Sequence, residues 1–441
     1  MVMEIKKDKK AKRPKLEFND EYAVEKIIEH CEYSPNKYLF CIKWYGWAHC
    51  HNTWEPLENL NCDHKLEDYL KKQTTVVSDT KTINEIKVSL VDLNEEHITQ
   101  LLQKYTNGKK IKIPEVERSL MEAILQFLAP IDAAKWDAAL QAKLKDLLEL
   151  EVLNDLRFTQ LTSLQSWQKK INEGSKIPLK VENEVDLEGP PLNFTFVNEY
   201  ICGKGITIPS DPLIGCDCGE RCRGVANKCC ANISNSVYAY RKGRLNIDRG
   251  VPIYECNKRC SCGPDCRNRV IQHGRSKKLS IFRTSNNCGW GLKALESIRK
   301  GCFVTQYVGE VITNEEAEKR GLEYDADGRT YLFDLDFNGE ENPYTVDATS
   351  YGNESHFINH SCDPNTAIYA AFVDCLDPNL PLLAIFAIKD IKSGDEITFD
   401  YSNQRNLNDS VSNEVKDEEN AFFKNYLCKC NASNCRKYLF T

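Results

Sequence analysis

The stretch FINHSCDPN, residues 357–365, sets Cys362 just after Asn359 and His360 and ahead of an Asp-Pro turn. Those residue types allow three chemistries for Cys362. It can be a nucleophile with a histidine base, a metal thiolate whose partners lie elsewhere in the chain, or a small buried residue. The distribution of the other cysteines bears on the choice. Of 21 in the chain, Cys216, Cys218, Cys222, Cys229, Cys230, Cys256, Cys260, Cys262 and Cys266 crowd one segment, and Cys428, Cys430 and Cys435 another. The N-terminal MVMEIKKDKKAKRPKLEF lacks the apolar core of a signal peptide, and no window reaches the apolar run of a membrane span. A soluble intracellular protein without membrane contact is therefore expected, and its reducing environment disfavours structural disulfides. Closely spaced thiolates there suit tetrahedral zinc. Two separate four-ligand sites would strand one of the nine cysteines, whereas three zinc ions use them all if three thiolates each bridge two metals. A three-zinc cluster is the expectation. The C-terminal group offers three thiolates and lacks a fourth ligand.

A second chemistry resides in aromatic rings. Tyr22, Trp44 and Trp47 fall in a segment of some fifty residues, the tryptophans within KWYGW beside a glycine turn. Three ring faces around one point bind a methylated ammonium, which keeps its charge but is poorly hydrated. Trp54, in NTWEP, is expected in the core.

The elements that must position these groups follow from periodicity. The length of 441 residues supports two or three domains. A net charge of -7, with 41% hydrophobic and 28% charged residues, excludes wholesale disorder. EYAVEKII and KYLFCIKWY read as strands, and CDHKLEDYLKK as a helix with Leu66, Tyr69 and Leu70 on one side. Residues 73–130 are mixed and polar. From Asp132 to Ile171, Trp136, Leu140, Leu144, Leu147 and Leu148 recur at helical spacing. Pro178 to Gly215 is irregular. LSIFRT, CFVTQYVGEVI, RTYLFDLDF, PLLAIFAI and EITFDY alternate as strands, and Thr313 with Glu316 has capping-box spacing. The first residues carry Lys6, Lys7, Lys9, Lys10, Lys12, Arg13 and Lys15 against Glu4 and Asp8, a solvated tail suited to nuclear import or nucleic-acid contact. Residues 403–424 are polar and acidic, a mobile insertion.

EYAVEKII, KWYGW and NTWEPLENL together resemble a chromodomain over residues 20–72. The resemblance implies a three-stranded antiparallel sheet with a C-terminal helix, a histone-tail peptide added as a further strand, and methyl-lysine held by Tyr22, Trp44 and Trp47. The nine-cysteine block, followed in order by YVGE, YLFDLD, NHSC, FDY and CKCNASNC, resembles the pre-SET, SET and post-SET regions of a protein-lysine methyltransferase. The whole is identified with the suppressor-of-variegation type acting on lysine-9 of histone H3.

The implied fold is multidomain α+β. It has a basic tail (1–19), the chromodomain (20–72), a polar and helical linker (73–185) and a pre-SET zinc region (186–275). A β-rich SET domain of knot-like topology (276–402), the acidic insertion (403–424) and a post-SET zinc segment (425–441) complete it. By the same resemblance Tyr401 is the catalytic tyrosine and Tyr307 lines the lysine channel. Phe399, where relatives carry Phe or Tyr, leaves room for di- and trimethylation. Gly289, Trp290, Tyr331, Asn359 and His360 would hold S-adenosylmethionine, and His356 stands where many SET enzymes carry Arg. Cys362 would join Cys428, Cys430 and Cys435 around a fourth zinc. Histone H3 tails, nucleosomes and other heterochromatin proteins are the implied partners, and nuclear heterochromatin the implied location.

The rival readings are a methyl-lysine-binding protein with weak or no catalysis and a methyltransferase for a different lysine. Tyr307, Asn359, His360 and Tyr401 are all present, which speaks against the first.

Overall fold

The computed structural model describes residues 22–34, 37–73, 80–91, 93–106, 110–220, 222, 229–326, 331–337, 343–402 and 427–439. The expected basic tail 1–19 and acidic insertion 403–424 lie outside the described residues. The chain divides into two compact units, Met1–Thr159 and Gln160–Thr441.

In the first unit, β1 (Val24–Ser34), β2 (Lys37–Trp44) and β3 (Thr53–Pro56) form an antiparallel sheet in that order. Helix α1 (Asp63–Gln73) buries Leu66, Tyr69 and Leu70 in one cluster with Phe40 and Ile42 of the sheet. The stretch after it, expected to be a polar and helical spacer, contributes more than that. Helices α2 (Thr80–Leu90), α3 (Glu95–Tyr105) and α4 (Arg118–Leu128) precede α5 (Ala138–Ile171). Leu120, Met121, Ile124, Leu125 and Leu128 of α4 and Leu140, Leu144, Leu147 and Leu148 of α5 belong to the cluster that holds the sheet. The three- and four-residue spacing on α4 concentrates its apolar side chains in one stripe, which buries them although the flanking residues are polar. Trp54 departs from expectation: it is 43% exposed. Thr53 and Glu55 bond each other on one side of β3, with Thr53 also reached by Trp44, so Trp54 projects from the opposite side of the strand.

The second unit begins with β4 (Lys180–Glu182), β5 (Thr195–Phe196) and β6 (Ile201–Cys202), then α6 (Cys230–Ile233), β7 (Tyr240–Arg241), β8 (Arg244–Leu245) and β9 (Ile253–Tyr254). Next come β10 (Leu279–Arg283), β11 (Trp290–Ala294), β12 (Phe303–Tyr307), β13 (Glu310–Thr313) and α7 (Asn314–Ala326). Last are β14 (Leu332–Asp334), β15 (Tyr344–Asp347), β16 (Tyr351–Gly352), β17 (Asn359–His360), β18 (Thr366–Phe372), β19 (Leu382–Ala387) and β20 (Thr398–Phe399). The main sheets run β11-β10-β4, β12-β19-β18-β9 and β14-β15-β13-β6. The irregular segment 178–215 thus supplies an edge three times, with β4 parallel to β10, β5 to β16 and β6 to β13. Ile281, Leu292, Val304, Val311, Val346, Leu383 and Ile385 make the central core. At its margin β17 and β20, far apart in sequence, pair in parallel, Asn359 opposite Thr398 and His360 opposite Phe399.

Candidate active site, metal centres and aromatic cage

The β17–β20 pairing assembles the expected catalytic residues. Phe399 is buried, and its ring lies 4.9 Å from that of Tyr401. The Tyr401 backbone N–H donates to His360 Nδ1 at 3.1 Å, and its hydroxyl donates to the Ile358 carbonyl at 2.9 Å. Tyr307, on β12, donates its hydroxyl to the Tyr331 carbonyl at 2.9 Å. Burial pushes both phenols well above their ordinary range. They are therefore neutral hydroxyls whose protons are already committed to carbonyls, leaving oxygen lone pairs as the groups offered to a ligand.

The residues expected at the cofactor converge on the same place. Gly289, at a φ of 79°, precedes β11, and Trp290 opens that strand beside the β10–β11 turn. Asn359 Nδ2 donates to the Trp290 carbonyl at 3.2 Å and to Glu396 Oε1 at 2.8 Å. Sequence reasoning missed Glu396. Burial raises its carboxyl above the ordinary range although Asn359 opposes this. A Cβ on Gly291 would come within 2.9 Å of Glu396 Oε1 and of Thr284 Cγ2, so the second glycine of GWG makes room for that carboxyl. Arg283 was also missed; its guanidinium lies 5.8 Å from the Trp290 ring and donates to Asp186 at 2.7 Å. The signal for both is contact across elements, which periodicity does not carry.

Tyr331 stacks on His356 at 4.1 Å and 14°, with Phe194 4.5 Å from the same imidazole. Burial lowers the His356 pKa to about 4, and its Nδ1 hydrogen-bonds the Ala348 carbonyl at 2.7 Å. Near neutral pH this is an uncharged wall.

His360 faces two ways. Because Nδ1 accepts from Tyr401, the ring proton sits on Nε2, which lies 3.3 Å from Cys362 Sγ. The sulfurs of Cys362, Cys428, Cys430 and Cys435 all lie within 4.8 Å of one another. Cys362 to Cys428 is 3.8 Å, matching the edge of about 3.8 Å that a tetrahedron with Zn–S near 2.3 Å requires. Arg436 adds a fork onto Asp400 at 2.6 and 2.8 Å, tying this segment to the residue before Tyr401.

In the larger block, eight cysteines form three quartets of the same compactness: 216/230/256/260, 216/222/229/256 and 222/256/262/266. Cys216 and Cys222 are shared by two quartets and Cys256 by all three. Cys218 enters none of them, and burial pushes its thiol above the ordinary range although Cys222 and Cys216 oppose this. Backbone N–H groups of Cys216, Asn257 and Cys222 donate to sulfur at 3.2 to 3.4 Å, favouring thiolates. Sulfur separations of 3.3 to 3.9 Å fit zinc, and overlapping quartets fit several ions.

In the first unit, Tyr22 stands 6.2 Å from Trp44 and 6.3 Å from Trp47, both edge-on. Trp44 Nε1 donates to Thr53 Oγ1 at 3.0 Å, and Thr53 in turn donates to Glu55 at 2.7 Å, which fixes the indole. His51, not expected from the sequence, sets a fourth ring 5.2 Å from Trp47.

Two neutral buried phenols, close to aromatic faces and an amide held by two acceptors, are the arrangement of a SET-type methyltransferase. Family models agree: a Chromo (chromatin organisation modifier) domain matches residues 22–72, a Pre-SET motif 171–269 and a SET domain 289–402. Histone-lysine N-methyltransferase SUV39H2 of Bos taurus is 40% identical over 95% of this chain and 88% of its own. Su(var)3-9 of Drosophila melanogaster is 36% identical over 98% and 67%. The solved structure of Arabidopsis thaliana SUVH6 in complex with SAM is 32% identical, covering 61% of this chain and 55% of that one with a TM-score of 0.50. A structure determined for the product specificity of histone lysine methyltransferases is 35% identical over 60% of this chain and 100% of its own, also at 0.50. The chain belongs to the SUV39 family of histone-lysine N-methyltransferases, enzymes that draw their methyl group from S-adenosylmethionine.

Proposed function

We propose that this protein methylates lysine-9 of histone H3, adding two or three methyl groups, and holds an already methylated tail between Tyr22, Trp44 and Trp47. The observation that carries the reading is the β17–β20 pairing, which brings Asn359, His360, Phe399 and Tyr401 together. When bound, S-adenosylmethionine supplies an electrophilic methyl on a sulfonium. Gly289, Trp290, Tyr331, Asn359 and His360 would hold it; their aromatic faces and amide suit a sulfonium-bearing nucleoside. The chain's own part is to orient the amine and exclude water. Tyr401 and Tyr307, with their protons given to carbonyls, offer lone pairs to an amine N–H, so they steer the nitrogen lone pair without acting as bases. The lysine loses its proton because a buried site disfavours its charged form. Phe399 has no hydroxyl to crowd the nitrogen, which permits successive transfers.

Zinc at Cys362, Cys428, Cys430 and Cys435 would lock the segment after residue 427 against the site, and three ions would occupy the nine-cysteine block. Domain limits follow the sequence reading (20–72, 186–275, 276–402, 425–441). Nuclear chromatin is the place of action, heterochromatin formation and gene silencing the outcome, with other heterochromatin proteins as partners and the basic residues before 20 contacting nucleic acid.

The test is mass spectrometry of H3 peptides incubated with zinc-replete protein and S-adenosylmethionine. Di- and trimethyl products on the free peptide, and none on one blocked at lysine-9, are expected. Transfer indifferent to the block would overturn the substrate assignment, and a product stopping at one methyl would overturn the role of Phe399.

A further inference from the structure

Between the two halves of the cysteine block, β7 and β8 form a hairpin whose root and tip differ in character. At the root, Tyr240 is buried and its hydroxyl donates to Glu255 at 2.6 Å. At the tip, Lys242 and Gly243 hold φ of 54° and 71°, the left-handed pair of a type I′ turn. Lysine is a poor choice for that conformation, which favours Gly, Asn or Asp. Arg241 and Arg244 stand directly opposite each other across the strands, a like-charge pairing that works against the hairpin. All three cations are exposed.

The hairpin is also fixed against a second cationic element. The Leu245 N–H donates to the Gly301 carbonyl at 2.7 Å, and a Cβ on Gly301 would lie 3.1 Å from Arg244 Cβ. Arg299 and Lys300, just before Gly301, are exposed as well. The Asp390 carboxylate accepts from the Lys300 backbone N–H at 2.7 Å. Among the described residues, none of these five cations enters an ion pair. A chain of net charge -7 therefore carries, on its second unit, a local surface of opposite sign built at a cost to its own turn and strand pairing.

We propose that the β7–β8 hairpin and the Arg299–Lys300 turn form a phosphate-gripping surface for the double-stranded DNA of the nucleosome whose histone tail is the substrate. This rests on the histone-methylating reading above. Histone tails leave the nucleosome beside DNA, so a cationic face on the catalytic unit raises the local concentration of tail through a contact that reads no sequence.

The experiment uses the full chain carrying Arg241→Gln, Lys242→Asn, Arg244→Gln and Arg299→Gln; Asn preserves the turn. Binding of a short DNA duplex is measured by fluorescence anisotropy against salt, and methylation is measured on nucleosomes and on H3 peptide in parallel. At about 0.9 in slope per neutralised phosphate, the dependence of log affinity on log salt should fall by about 3–4, and affinity near 0.15 M salt by about 10²–10³-fold. The KM for nucleosomes should rise while kcat/KM for the peptide is unchanged. An unaltered salt slope together with unaltered nucleosome KM overturns the proposal. A raised nucleosome KM with full DNA affinity points to an acidic protein face and overturns it too, as does RNA of equal length displacing the DNA at lower concentration. If the fourfold variant also loses peptide activity, Arg299→Gln with Lys300→Gln, which leaves the hairpin untouched, should lower the slope by about 2. Absence of peptide methylation by the unaltered protein would instead refute the histone reading and leave the DNA measurement standing.

Discussion

Replacing Glu396 is expected to weaken the hold on S-adenosylmethionine without touching it. In the native site Asn359 Nδ2 has two acceptors, Glu396 Oε1 at 2.8 Å and the Trp290 carbonyl at 3.2 Å. Glu396→Ala removes the shorter bond and leaves a half-buried amide free to turn over. Losing one partner of a buried hydrogen bond costs about 1–3 kcal/mol. Expressed wholly in cofactor binding, that is a rise of about 5- to 150-fold in Kd. Glu396→Gln keeps an acceptor oxygen of the same shape and should stay within about threefold of the native value. Titration calorimetry with S-adenosylmethionine reads both variants, and peptide KM serves as the control that should not move. A native Kd for Glu396→Ala, or a Gln variant as weak as the Ala variant, would refute the positioning argument. The carboxyl also has a signed pH consequence. Its folded pKa is raised above 4.5, so its contribution to stability is full below that value and is lost as pH rises through the raised one. The Gln variant should therefore lose less stability than the native chain over that rise, a difference measurable by thermal melts across pH.

Three further outcomes are expected. Cys362→Ala should release about one zinc, counted by metal analysis, and abolish methylation, while binding of a methylated peptide by the first unit is retained; retained activity with one zinc lost would break the coupling. Trp47→Ala should raise the Kd for a trimethyl-lysine H3 peptide by about 2- to 30-fold, from about 0.5–2 kcal/mol per ring. Fluorescence polarisation reads that change, and an unchanged value would remove Trp47 from the cage. Ile124→Ala on α4, a fully buried position, should cost about 2–5 kcal/mol and lower the urea midpoint at which methyl-peptide binding is lost; an unmoved midpoint would make α4 a passive spacer.

Much of the site was legible because its chemistry depends on residue type in a fixed order. NHSC, FDY and the cysteine spacings carry their meaning in the chain itself, and Cys362 meets Cys428, Cys430 and Cys435 as the family pattern implies. What escaped was set by contacts between distant segments. Glu396 sits in an ordinary Gly-Asp-Glu turn, and only its contact with Asn359 gives it a role. His51 sits in a polar run, and only its approach to Trp47 brings it to the aromatic cluster. The three helices between residues 80 and 128 hid their apolar stripes among charged neighbours, whereas the longer helix that follows showed its stripe in the sequence. Trp54 was misplaced because a tryptophan in a small domain invites burial, whereas strand alternation decides which side it takes.

The parallel meeting of β17 and β20 bears on how the protein is made. Residues 359–360 wait for 398–399 to emerge from the ribosome, and the sulfur of Cys362 waits for three cysteines that begin 66 positions later. Such non-local closure is slow and is reached late in folding. A nascent chain can thus complete its peptide-binding module well before it has a catalytic centre. During synthesis, the three-stranded sheet with Trp44 and Trp47 can be complete before Asn359 and His360 meet their partners on β20.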